Sequence, residues 1–219
     1  LPGPTGRVFS IIPETFYLPA EYPLFCERYS EGVLDEAEGD HLNMWILKPV
    51  GQSRGRGIHL VTRVEDVVYG EPVVVQRYIE RPFLVDGYKF DLRLYVLVTS
   101  FSPLEAFVYR EGFARFASKP YTTAAECARD RLVHITNTAV QFEGGDESGL
   151  GPPYARACAS NGSKCALAEL WEVLEGEYGV SSEALWERIR DLIRKSLCAV
   201  DDVIPHNANS FELFGFDVL

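Results

Sequence analysis

The residue pattern predicts a mixed α/β or α+β fold, rich in strands first and in helices later. Two observations carry this. Short apolar runs with β-branched residues recur from position 44 to 116, separated by Gly and Pro. Later, residues 182–203 place Leu185, Trp186, Ile189, Leu192, Ile193, Leu197 and Val200 at helical spacing.

The elements follow in order. Residues 19–29 (PAEYPLFCERY) can start a helix that Pro23 confines to its first turn or breaks. Residues 30–43 are acidic and punctuated by glycine, which predicts a surface loop. Met44–Pro49 reads as a buried strand stopped by Pro49, followed by the glycine-rich loop 51–57 (GQSRGRG) and a strand over Ile58–Val61. Val73–Ile79 and Lys89–Phe101 are further strands. Leu104–Tyr109 and Phe113–Phe116 are two more, joined by a turn at Arg110-Glu111-Gly112. Residues 142–163, rich in Gly, Ser and Pro, predict a mobile loop. Lys164–Glu177 has helical periodicity, and Ser182 can cap the helix over Ser182–Val203, whose apolar stripe is core and has no further role. Phe211–Leu219 is a final strand.

With 219 residues, the chain can bury one sizeable core or two small lobes. Charged residues make up 24% and apolar residues 47%, which excludes wholesale disorder. No run of about 18 apolar residues occurs, so no helix is expected to span a bilayer. The N-terminus lacks both a secretory signal and an initiator Met, so the chain is expected to start inside a longer protein. Five cysteines without CxxC or metal spacing predict reduced thiols.

The net charge of −11 argues against a nucleic-acid binder. It is unevenly spread. Residues 48–119 hold 11 Lys/Arg against 8 Asp/Glu, residues 1–47 hold 2 against 8, and residues 120–219 hold 8 against 16. The middle third alone is basic.

That third carries most of the candidate chemistry. Lys48 ends a strand and precedes the GQSRGRG loop, where glycines let backbone N–H groups approach an anion and Arg54 and Arg56 can grip phosphate oxygens. A flexible surface turn would have the same composition. Alternation puts Lys89, Asp91 and Arg93 on one strand face opposite Phe90, Leu92 and Leu94, so these charges either form a solvated ladder or face a polyanion in a cleft. Gln76-Arg77-Tyr78-Ile79 can wall a flat heterocycle or simply end a half-buried strand. Arg110 lies at the expected turn. His134 is expected to be packed or hydrogen-bonded. Thr136 and Asn137 end a strand over Val133–Asn137, as ligands or turn formers. Asp217 is either a hard-metal ligand or a surface carboxylate.

Taken in order, WILKP (45–49), SRGRGI (53–58), VQRYIERPFLVDGYKFDLRLYVLVTS (75–100), PLEAFVYREGFARFASKPY (103–121), VHITN (133–137) and FELFGFDVL (211–219) resemble the tubulin tyrosine ligase-like family. The resemblance implies an α+β, ATP-grasp-type fold of mixed sheets with flanking helices, truncated at the C-terminus. It would form one catalytic region over 1–219, with a nucleotide- and substrate-binding core at about 43–141, a flexible loop over 142–163, and a helical part plus metal-ligand strand over 164–219. Such enzymes use ATP and Mg²⁺ to join an amino acid to a protein carboxylate through an acyl phosphate.

The resemblance also implies roles. Lys48 would contact ATP phosphates. Arg54 and Gly55 would form the phosphate loop, with Arg54 also near the acceptor protein. Gln76, Arg77, Tyr78 and Ile79 would line the adenine pocket. Lys89 would hold phosphates or base, and Asp91 the ribose. Arg93 would sit beside the reacting carboxylates as a catalytic group. Arg110, also catalytic, would hold the carboxylate of the incoming amino acid together with Lys164. Cys165 stands where the family has Trp after that Lys. Thr136 and Asn137 would sit against the phosphates, and Asp217 would be the first Mg²⁺ ligand. The chain stops before the family's Glu-x-Asn pair, so the metal site would be incomplete and this stretch by itself inactive. The pattern is closest to members that ligate glutamate; glycine and tyrosine stay open, as do a non-catalytic module that binds tubulin tails and an ATP-grasp ligase acting on a small molecule. Expected partners are acidic tubulin tails or microtubules and free glutamate, without nucleic acid or membrane. The expected location is cytoplasm and cytoskeleton, with cilium or basal body as a family expectation.

Overall fold

The structure, a computed structural model, describes residues 9–37, 42–52, 55–68, 70–143, 164–205, 207 and 209–219. The expected 142–163 loop therefore lies almost wholly outside the described residues, as does Arg54. All strand pairs are antiparallel and most helices follow a run of six strands rather than alternating with them, which makes the fold α+β. The chain divides into two compact units. One comprises Ile12–Lys89 and Ala117–Glu147; the other comprises Leu1–Ile11, Phe90–Phe116 and Ser148–Leu219.

In the first unit, strands β1 (Thr15–Leu18), β2 (Trp45–Pro49), β3 (His59–Val61) and β4 (Val73–Arg77) form a sheet in the order β1-β4-β2-β3, with all neighbours antiparallel. Helix α1 (Tyr22–Ala37) belongs to the same unit. Alternation sends Trp45, Leu47, Val73 and Val75 into a core with Leu18, Phe25, Val61 and Val67, in which Phe25 meets the Trp45 ring edge-on at 5.2 Å. Pro23 sits in the first helical turn, where a missing N–H costs nothing. The helix continues through residues 30–37, where a loop was expected. Glu and Leu propagate helix, and Gly32 is tolerated because a side chain there would stand 2.6 Å from Asn43 Oδ1.

The unit also contains β5 (Leu84–Val85), paired with the first two residues of β6 (Tyr88–Phe101), and two short helices, α2 (Arg131–His134) and α3 (Thr138–Glu143). These replace the strand expected over Val133–Asn137. The Asp130 carboxylate accepts from Leu132 N at 3.0 Å and Asn137 Oδ1 accepts from Ala139 N at 3.0 Å, so local caps divert the backbone from a ladder.

In the second unit, β7 (Leu104–Phe116) and β9 (Glu212–Val218) flank β6, and β8 (Lys164–Ala166) pairs with the far edge of β7. Leu92, Leu94, Val96, Val98, Ala114 and Phe116 are buried. So are Leu167, Leu170 and Leu174 of α4 (Leu167–Tyr178) and Trp186, Ile189, Ile193 and Leu197 of α5 (Ser182–Cys198), where Trp171 packs edge-on to Trp186.

Three sequence expectations change in this unit. Residues 164–166 form a strand, because β7 offers them an edge, and the helix begins only at Leu167. Ser181, not Ser182, caps α5, its hydroxyl accepting from Ala184 N at 3.3 Å. Arg110-Glu111-Gly112 is no turn. β7 is continuous, and four residue steps from Val108 to Gly112 face two from Val96 to Leu94, so Arg110 sits in a bulge. Gly112 is there because a Cβ would collide with the Arg93 carbonyl oxygen.

Cys26, Cys127 and Cys198 carry free thiols, whereas Cys165 is disulfide-bonded, against the expectation of a wholly reduced set. No helix among the described residues is long and apolar enough to cross a membrane.

Candidate functional site

The first unit presents a basic, hydrogen-bonded sheet face. Trp45 and Leu47 point into the core, so Lys48 belongs with Ile46 on the opposite face, and Gln76 shares that face because Ile46 and Gln76 are cross-strand partners. Lys48 Nζ donates to Gln76 Oε1 at 2.7 Å. The Gln76 amide donates in turn to Thr15 Oγ1 at 2.8 Å, and that hydroxyl to Pro13 O at 2.7 Å. This relay fixes the orientation of the Gln76 amide. Burial pushes the Lys48 pKa below its ordinary value, because the ammonium has lost water.

Tyr78 follows β4 in register, its N–H donating to Met44 O at 3.0 Å, so its ring lies on the same face as Gln76. The buried Lys89 ammonium, 5% exposed, donates to the Tyr78 hydroxyl at 3.0 Å and to His134 O at 2.9 Å, and lies 4.5 Å from the Tyr78 ring centre. A solvated outer face for Lys89 is thereby excluded. Arg77 points the other way, its guanidinium 5.3 Å from the Trp45 ring and 3.3 Å from Asn43 Oδ1. Ile79 is exposed. Gly55 adopts φ +73° and packs against α3, where a side chain would stand 2.8 Å from Val140 and 3.3 Å from Asn137. Its carbonyl accepts from Arg131 at 2.7 Å. Thr136 is buried. Of the expected nucleotide residues, Lys48 thus meets Gln76, Lys89 meets Tyr78, and Gly55 meets Asn137.

The second unit holds a compact charge cluster on one sheet face. Register makes Lys164, Arg115 and Asp91 one cross-strand row, and Phe113, Arg93 and Asp217 the next. Arg115, 5% exposed, grips Asp91 with two nitrogens, Nε to Oδ1 at 2.7 Å and Nη2 to Oδ2, while Nη2 also reaches Asp217 Oδ2 at 2.9 Å. Arg93 Nε faces Asp217 Oδ1 at 2.6 Å and Nη2 donates to Oδ2 at 3.3 Å. Burial alone would lower the Arg115 pKa; Asp91 and then Asp217 outweigh that and hold it above its ordinary value.

Sequence reasoning missed Arg115. The available signal was an arginine in an apolar strand, FARF, opposite the KFDLR strand. Lys164 lies 5.0 Å from the Phe113 ring centre. Arg110 is in different company, with Glu183 at 3.2 Å and the Trp186 ring at 5.8 Å, both from α5. Among the described residues no group of three or more His, Cys, Asp or Glu side chains is arranged to hold a metal ion.

Against known proteins, the model of the Tubulin-tyrosine ligase family matches residues 2–219. The chain is 38% identical to human Tubulin polyglutamylase TTLL5 over 97% of its own length and 16% of that protein. It is 32% identical to human Tubulin monoglutamylase TTLL4 over 97% of its length and 17% of that protein. It is 35% identical to Probable tubulin polyglutamylase ttll-9 of Caenorhabditis elegans over 96% of its length and 49% of that protein. It therefore spans about a sixth of the length of the first two relatives and about half of the third. A family match over residues 2–219 shows that this chain belongs to the tubulin-tyrosine ligase family.

Proposed function

We propose that the chain is part of an ATP-grasp ligase that adds glutamate to glutamate side chains of tubulin, or of another protein, through an acyl phosphate. The observation that carries this reading is that the relatives above are named tubulin polyglutamylases or monoglutamylases and match 96–97% of the chain.

The chemistry of the first unit suits a polyanion. Lys48 and Lys89 are ammonium groups taken largely out of water, and an anion would offset that desolvation. In this reading Lys48, Lys89, Gly55, Thr136 and Asn137 hold ATP phosphates, Arg54 adds to the phosphate loop and meets the acceptor, and Gln76, Tyr78, Ile79 and the backbone of Arg77 receive the base. ATP supplies the phosphoryl group that activates the acceptor carboxylate. Arg93 neutralises reacting carboxylates, Asp91 contacts the ribose, and Arg110 and Lys164 bind the carboxylates of the incoming amino acid. The described residues do not fit a magnesium site by themselves: Asp217 is one hard ligand, and both of its oxygens face guanidinium nitrogens.

The test compares the intact protein with a Lys48→Ala/Lys89→Ala double variant for ATP binding by calorimetry. Intact mass spectrometry of tubulin incubated with glutamate, glycine or tyrosine reads the transfer. Transfer of glutamate by the wild type and loss of nucleotide affinity in the double variant are expected. Undiminished affinity in that variant, or transfer of glycine or tyrosine alone, overturns the proposal.

A further inference from the structure

His134 is 2% exposed and has no part in the chemistry above. Its Nε2 lies 3.1 Å from Cys127 O and its Nδ1 lies 3.0 Å from the Tyr78 hydroxyl. A carbonyl oxygen only accepts, so Nε2 carries the proton. In a neutral ring Nδ1 is then an acceptor, and the Tyr78 hydroxyl donates to it. The Lys89 ammonium has only donors, so the Tyr78 oxygen accepts from Lys89 at 3.0 Å. Each proton in the chain Lys89–Tyr78–His134–Cys127 is assigned by what the last carbonyl can do.

We infer that His134 is a positioning residue for Lys89: its Nε2-protonated ring takes the Tyr78 proton and turns the Tyr78 oxygen lone pairs onto the ammonium. The consequence for nucleotide binding rests on the function proposed above, but the arrangement does not. The surroundings oppose a second charge. Lys89 approaches from β6, Tyr78 from the end of β4 and Cys127 from the turn before α2, while the Tyr121 ring stands edge-on at 5.7 Å. The Tyr121 hydroxyl donates to Glu80 O at 2.7 Å and also stands against the Tyr78 hydroxyl. Burial and then Lys89 push the His134 pKa down, against the carbonyl of Cys127 and the carboxylate of Asp130, which favour the charged ring. Burial and Tyr121 keep the Tyr78 phenol protonated. A charged imidazolium would aim a donor at a hydroxyl that already accepts from an ammonium.

The test uses the intact protein without nucleotide. Lysines are labelled competitively with acetic anhydride and quantified by mass spectrometry, with Lys119 and Lys195 as internal references. His134→Leu should raise the labelling rate of Lys89 about tenfold, as expected when a hydrogen bond to a charged group is lost. His134→Asn, which restores an acceptor near Nδ1, should stay within about threefold of wild type. In a Tyr78→Phe background His134→Leu should add no further increase. Equal labelling of Lys89 in the Leu and Asn variants at matched thermal stability, or an undiminished His134→Leu effect without the Tyr78 hydroxyl, overturns the inference. Absence of ATP binding by the wild type would defeat the proposed function and leave this readout decisive.

Discussion

Arg93 lies where a side chain at Gly215 would stand: a methyl group there would be 2.5 Å from Arg93 Nη1. The glycine of β9 is what lets the guanidinium lie flat across the strand and reach Asp217, two residues further on.

Gly215→Ala should therefore act on function more than on stability. The obstructed atom is the tip of a flexible side chain, so Arg93 swings aside at a cost of under about 1 kcal/mol while its pair with Asp217 breaks. Gly112→Ala meets the Arg93 backbone carbonyl instead, which cannot swing, and should cost about 1–3 kcal/mol. Thermal melts and glutamate transfer measured on both variants check the contrast. A Gly215→Ala protein that melts as low as the Gly112→Ala protein would refute it.

Arg115 and Asp91 form a buried, bidentate pair. Arg115→Met should destabilise by about 3–5 kcal/mol, because the buried Asp91 carboxylate loses its bidentate guanidinium partner. Arg115→Lys should rescue little, since an ammonium cannot span both carboxylate oxygens. The double variant Arg115→Met/Asp91→Leu should recover most of the loss. Urea unfolding of the three proteins measures it, and a double variant no more stable than Arg115→Met would contradict the assignment.

His134 gives a pH dependence with a definite sign. Its folded pKa lies below the ordinary value of 6.5, so the unfolded chain binds the proton first as pH falls. The stabilisation is complete above about pH 7.5 and is lost as pH drops through 6.5 toward the lower folded pKa. Urea unfolding at pH 7.5 and 5.5 should show a larger fall for wild type than for His134→Asn. Equal falls would show that other groups carry the dependence.

The α5 cap is a smaller, cleaner case. Ser181→Ala should cost about 1 kcal/mol, because the Ala184 N–H loses its acceptor. Melting temperatures of the Ser181→Ala and wild-type proteins check this, and an unchanged value would remove Ser181 as the cap.

What the residue order determined by itself is most of the longer strands, β2, β4, β6 and β9 among them, and the face each of their side chains takes. Trp45 and Leu47 are core while Lys48 is not, Asp91 and Arg93 share a face, and Ile189, Ile193 and Leu197 line one side of a helix. These follow from periods of 2 and 3.6, which are local properties of the chain. Tertiary structure alone decided the rest. Gly112 and Gly215 exist for the close approach of Arg93 from a neighbouring strand, so one of them was mistaken for a turn glycine. Lys164–Ala166 is a strand because β7 has an edge to offer, and the strand expected over Val133–Asn137 gives way to the end of α2 and a short link to α3, because two caps outcompete a ladder. Arg115 looked ordinary in sequence, since its partners lie 24 and 102 positions away along the chain. Contacts of that kind depend on register between strands, and register is settled by burial of the whole sheet, which no local window contains.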